Sequence, residues 1–212
     1  MSGIRLTVGL CVVFITIVVG MFVFSVTREP QLSEEQLRER GVFLLPRPRE
    51  LSPIALQDHT GAEFSQAQFE GHWTFIFFGF TYCPDICPTT MSVLGQVERQ
   101  LQQADPSIAD NFRGVLVSVD PERDTAEVLG NYVTAFSPRF VGVMGDLTSI
   151  GEFANQVNVA FAKVPTDDGG YTVDHTGNVV IINPKGHYHG FIKLPHKAET
   201  IRLAYQSLKS QF

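Results

Sequence analysis

Residues 73–104 read WTFIFFGFTYCPDICPTTMSVLGQVERQLQQA, and the change of period inside this stretch sets the architecture. Residues 73–78 are an aromatic-rich apolar run between Gly71 and Gly79, which is the pattern of a strand buried on both faces. Residues 91–104 carry Met91, Leu94, Val97 and Leu101 at helical spacing, so one apolar stripe faces a core. The unit is strand, loop, helix. Trp73, Phe75, Phe77, Phe78 and Phe80 are read as core rather than as a cofactor box.

Downstream the alternation continues, with strands at 115–119 and 140–144 and helices at 126–136 and 150–157. Strands alternating with helices pair in parallel through right-handed crossovers. Residues 179–182 and 188–192 flank Asn183, Pro184, Lys185 and Gly186, a hairpin turn signal, and 198–208 reads as a closing helix. Upstream, 54–56 and Phe64 flank Asp58, His59, Thr60 and Gly61, a second short hairpin. A β-α-β half, a β-β-α half and this leading hairpin predict an α/β domain over 53–212, a thioredoxin-like fold with an N-terminal β-hairpin extension.

Residues 6–26 are apolar apart from Thr7, Thr16, Ser25 and glycines, a length that matches a bilayer core. A cleaved signal would have a shorter apolar region followed by small residues, whereas Phe22, Val23 and Phe24 stand at that place. Residues 1–27 are therefore expected to be a single-pass transmembrane signal anchor, with Cys11 an apolar residue of the span. Arg5 on the short side places that side in the cytoplasm. The remainder is then expected outside it, as for a bacterial inner membrane protein facing the periplasm. Residues 28–52, charged and containing Pro30, Pro46 and Pro48, read as a linker with a short helix over 33–40. The net charge of -6, from 16 Lys plus Arg against 22 Asp plus Glu, excludes a basic footprint for nucleic acid.

Cys83 and Cys87 stand four residues apart, with Pro84 where a helix can begin. On one helix face both sulfurs can converge on an ion or close to a disulfide. A helix N-terminus also favours thiolate. A bridge spanning so short a loop stabilises little, so the pair points to function, either as metal ligands or as a redox-active disulfide. A third ligand must come from elsewhere among the 6 histidines. His175, in the run Val173, Asp174, His175, Thr176, Gly177, enters the last hairpin, which a thioredoxin-like topology brings against the cysteine loop. His187 and His189 form an H-x-H pair that reads more readily as a solvent-facing strand, and His59, His72 and His196 carry no pattern. Two thiolates and one imidazole are a soft donor set suited to a copper ion. Asp120, Glu122, Arg123 and Asp124 follow a strand end, where open α/β sheets gather ligands and partners. Asp120 and Arg123 are candidates for partner docking, and Asp124 for a helix cap.

Residues 79–88 (GFTYCPDICP), 119–125 (VDPERDT) and 174–176 (DHT), in that order, resemble the signatures of the Sco/SenC copper chaperones, from roughly residue 53 to the C-terminus. The resemblance implies Cys83, Cys87 and His175 as copper ligands. It also implies a role at the dinuclear copper centre of cytochrome c oxidase subunit II, as the partner that receives copper. Other copper chaperones or thioredoxin-like reductants are further expected partners. A chaperone of this kind is not an enzyme with turnover. The alternative is a thiol-disulfide oxidoreductase that keeps the cysteines of the oxidase subunit reduced with the same pair. A peroxidase of the peroxiredoxin kind finds no resolving arrangement beyond Cys87.

Overall fold

The computed structural model describes residues 2–27, 31–167, 169–210 and 212. The chain divides into two compact units, Met1–Gln31 and Leu32–Phe212. In the first, α1 (Ser2–Thr27) is a helix whose segment Gly3–Val23, with mean hydropathy 2.8, is long and apolar enough to cross a membrane. The hydroxyls of Thr7 and Thr16 donate to the carbonyls of Gly3 and Val12, so neither brings an unpaired polar group to that surface.

The second unit is an 8-stranded sheet in the order β1-β10-β9-β4-β5-β6-β2-β3. In chain order these are β1 (Val42–Arg49), β2 (Leu56–Asp58), β3 (Glu63–Phe64), β4 (Trp73–Gly79), β5 (Phe112–Ser118), β6 (Val141–Met144), β9 (Val179–Ile182) and β10 (Tyr188–Ile192). A separate 2-stranded sheet joins β7 (Phe161–Pro165) to β8 (Tyr171–His175). The helices are α2 (Glu34–Glu39), α3 (Ile86–Ala104), α4 (Pro106–Ala109), α5 (Ala126–Thr134), α6 (Leu147–Gln156) and α7 (Ala198–Lys209).

Strand β4 is central and every residue in it is buried. It pairs in parallel with β5 and antiparallel with β9, and β5 pairs in parallel with β6. The parallel strands therefore end together, and β4 delivers the chain directly into the cysteine loop. Phe75 stacks on Phe112 and meets Tyr205 of α7 edge-on; Phe78 packs against Phe153 of α6. The aromatic run is core, as expected from its pattern. The β2–β3 hairpin pairs with β6 at the far edge, which completes the thioredoxin-like arrangement with its N-terminal hairpin.

Three features differ from the sequence expectations. Residues 32–52 do not run as a free tether: Ser33 caps α2 through a reciprocal capping box with Gln36, and β1 pairs with β10 as an edge strand. Pro46 and Pro48 suggested a linker, but an edge strand tolerates proline on its unpaired side, and the pairing is irregular between Leu44 and Arg49. Helix α3 begins at Ile86, two residues after Pro84, where the helix is expected to begin, so Cys83 falls outside it. The β7–β8 hairpin was not anticipated.

Leu32, Leu37 and Val42 are buried, and the Leu32 N–H donates to Ser207 Oγ at 2.9 Å. A fragment 53–212 lacks these side chains and exposes the edge of β10. It should unfold at lower urea than a fragment 32–212, by several kcal/mol, since each buried side chain of this size contributes about 1.5–3 kcal/mol. Equal midpoints in equilibrium denaturation would restore the linker reading.

Candidate metal centre

The cysteine loop leaves β4 at Gly79. Cys83 lies before α3, not in it: Asp85 stands at the N-cap with φ -137 and ψ -76, outside helical values. The sulfurs therefore do not meet on one helical face as the four-residue spacing predicted. Pro84 precedes the helix, and Pro88 occupies its first turn, where a missing N–H is tolerated. A turn before the helix does the converging instead. The Cys83 N–H donates to the Phe80 carbonyl at 3.3 Å, and the Cys87 N–H donates to Cys83 Sγ at 3.4 Å.

Cys87 is buried and Cys83 is intermediate in exposure. A Cβ at Gly79 would stand 2.9 Å from Cys87 Sγ, so only glycine lets that sulfur settle against the end of β4. His175 closes strand β8, where it pairs with Phe161. Its ring meets Phe77 and Phe80 edge-on at 5.4 and 6.0 Å, which restricts its orientation. Nδ1 faces the Thr176 carbonyl at 3.3 Å; a carbonyl only accepts, so Nδ1 carries the proton and Nε2 presents a lone pair. Nε2 lies 3.4 Å from Cys87 Sγ. Burial lowers the His175 imidazole pKa below its ordinary value, which favours the neutral ring. Burial, followed by the hydrogen bond with Cys83, pushes the Cys87 thiol well above the ordinary thiol range.

The ligand atoms of Cys83, Cys87 and His175 all lie within 4.8 Å of one another. Ligands about 2.0–2.3 Å from a shared soft ion stand about 4 Å apart in a trigonal set, so these donors fit one ion with small adjustment. Among the described residues, this is the group of histidine, cysteine and acidic side chains that could hold a metal.

The remaining histidines have partners elsewhere. His189 Nδ1 lies 3.3 Å from Asn183 Nδ2 and its ring packs on Trp73, while His187 Nε2 is 4.0 Å from Glu50. His196 contacts Thr90, His72 contacts Arg113, and His59 Nδ1 accepts from the Gly142 N–H.

The 120–124 loop is more internal than its charges suggested. Thr125, not Asp124, caps α5. The buried Asp124 carboxylate accepts from Thr81 N–H, Thr81 Oγ at 2.6 Å and Ser118 Oγ at 2.6 Å, tying the cysteine loop to the end of β5. Asp120 is fully buried, bound by Arg123 Nε and by the Tyr171 hydroxyl at 2.9 Å. Of the two docking candidates only Arg123 reaches solvent, with 27% of its side chain exposed. Nothing in the local sequence around Asp124 could have revealed its partner 43 positions away.

Residues 46–210 match the SCO1/SenC family. A putative copper-binding protein of Stutzerimonas stutzeri is 32% identical over 166 residues, covering 78% of this chain and 80% of that one. The human mitochondrial SCO1 homolog is 34% identical over 170 residues, covering 80% of this chain; the match spans 54% of that longer protein. Among solved structures, Bradyrhizobium japonicum ScoI with copper bound has a TM-score of 0.65 at 33% identity, covering 74% of this chain and 98% of that one. Arabidopsis thaliana ScoI with copper bound has a TM-score of 0.69 at 28% identity, covering 75% and 98%. With its cysteine loop, its histidine strand and its sheet all in place, the chain belongs to the SCO1/SenC family.

Proposed function

We propose that this chain is a membrane-anchored copper chaperone that carries one copper ion on Cys83, Cys87 and His175 and delivers it to the dinuclear copper centre of cytochrome c oxidase subunit II. The observation that carries the reading is the convergence of two sulfurs and one imidazole nitrogen within 4.8 Å. Relatives named as copper-binding and structures solved with copper bound support it. Copper is the cargo. Two thiolates with an imidazole satisfy a soft ion, and the small donor number leaves room for a partner's ligand to enter. Cys87 gives up its thiol proton when the ion binds, the Thr176 carbonyl fixes the histidine tautomer, and Phe77 and Phe80 keep the ring in place.

His175→Ala should lower copper retention by more than the roughly 10- to 100-fold that loss of a group orienting a ligand removes, while leaving the reactivity of the two thiols toward disulfides unchanged. Copper competition with a chelator and thiol titration measure the two effects. Unchanged retention would remove His175 from the ligand set.

The proximity of the two sulfurs also favours a second reading, in which the pair reduces disulfides of the oxidase subunit by thiolate attack. The two are separated by oxidation. A Cys83–Cys87 disulfide occupies both sulfurs, so the oxidised chain should hold no stoichiometric copper while keeping its circular dichroism. If copper loading of the oxidase is normal in cells carrying His175→Ala and fails with Cys83→Ser, thiol reduction is the main role.

The apolar α1 supports retention in the membrane, and Arg5 on its short side supports placing the domain on the non-cytoplasmic side. Protease added outside intact spheroplasts should digest residues 32–212 and leave a fragment of α1 in the membrane. Protection until the membrane is lysed would reverse the orientation.

A further inference from the structure

Resting on the reading of His175 as a copper ligand, we propose that Arg123 is a positioning residue: with Asp120 and Tyr171 it latches the β7–β8 hairpin, and so His175, in place over the cysteine loop. The hairpin is a sheet of its own, outside the 8-stranded one. Within it, Val173 is the buried residue, and the other positions are intermediate or exposed. Apolar burial in the hairpin rests on Val173, with Phe161 and Tyr171 only partly buried against the core, and local stability follows such burial. Polar contacts at its Tyr171 end add to that attachment.

Arg123 makes these contacts from a single planar group. Its Nε donates to Asp120, and its Nη1 donates to the Tyr171 carbonyl at 3.2 Å. The guanidinium carbon lies over the Tyr171 ring, 4.0 Å from its centre. The same group lies 5.6 Å from the Phe80 ring and 5.1 Å from the Tyr82 ring, both in the segment that leads to Cys83. The Tyr171 hydroxyl returns to Asp120 at 2.9 Å. Arg123 thus touches the cysteine loop on one side and the histidine hairpin on the other. Its own backbone is fixed, because the neighbouring Asp124 is bonded to Thr81 and Ser118. The ion pair of Lys163 with Glu122 at 2.5 Å adds a more exposed clamp on β7.

His175 stands on the same strand as Tyr171, about 13 Å along at the rise of an extended chain. The two strands are paired from Pro165↔Tyr171 to Phe161↔His175, so a shift at the Tyr171 end is carried along the ribbon to the imidazole. The forked, stacked geometry is specific to arginine. A lysine could pair with Asp120 but lacks the planar fork that presents separate N–H groups to Asp120 and to the carbonyl from fixed positions.

The test uses the full chain in detergent micelles, with Arg123→Ala and Tyr171→Phe. Tyr171→Phe keeps the ring under Arg123 and removes only the hydroxyl, so it carries the test if Arg123→Ala does not fold. In the metal-free chain, amide exchange over residues 161–176 should rise by about tenfold or more in Arg123→Ala and by less in Tyr171→Phe, with β4 and β5 unchanged. Copper(I) retention against a chelator should fall about 10- to 100-fold in Arg123→Ala, the range for groups that orient a ligand. In an Arg123→Ala/His175→Ala double variant it should fall no further than in His175→Ala alone, because the arginine acts through the histidine. Unchanged exchange in the hairpin, a rise across the whole domain in both variants, or additive losses in the double variant would each overturn the latch. If His175→Ala itself leaves copper retention intact, the three-ligand reading fails instead, and the exchange comparison still decides the latch.

Discussion

A buried carboxylate at the end of two parallel strands organises everything that follows. Asp124 is taken out of water, and a carboxylate so placed is tolerated only when hydrogen bonds replace its hydration. The Thr81 backbone N–H, the Thr81 hydroxyl and the Ser118 hydroxyl provide those bonds. The loop after β4 and the loop after β5 are thereby joined at one point, and both leave the sheet from the same edge because β4 and β5 run in parallel. The cysteines follow Thr81 by two and six positions, so their starting place is fixed by this contact more than by their own neighbours.

Much of the fold was legible because its signals are local. The paired hairpin at 179–192 announced itself through Asn183 to Gly186, and the buried β4 through an uninterrupted apolar run. The start of α3 was not legible in the same way. Pro84 and Pro88 both satisfy the rule that favours proline in the first helical turn, and only the non-helical backbone of Asp85 decides between them. The β1 strand was hidden by prolines that an edge tolerates, and the β7–β8 hairpin by a weak alternation with few apolar residues.

The candidate site divides along the same line. Cys83, Cys87 and His175 could be named from spacing, residue chemistry and the expected topology, and the fold brings them together. The groups that hold them could not. Asp124 reaches Thr81, Arg123 reaches Tyr171, and Gly79 makes room for a sulfur eight positions later. Each of these is a long-range or steric relation with no period and no motif of its own. Charge in the 120–124 loop pointed outward to a partner, whereas burial turned most of it inward.

The two cysteine residues differ in exposure, and this gives the site a direction. Cys83 is partly exposed as a residue, whereas Cys87 is buried with its sulfur against Gly79 at the end of β4. A donor atom arriving from outside meets the ion on the side of Cys83 and has no approach from behind Cys87. The ion would therefore exchange its outer sulfur first and its inner sulfur last, remaining bound to protein on both sides of the handover.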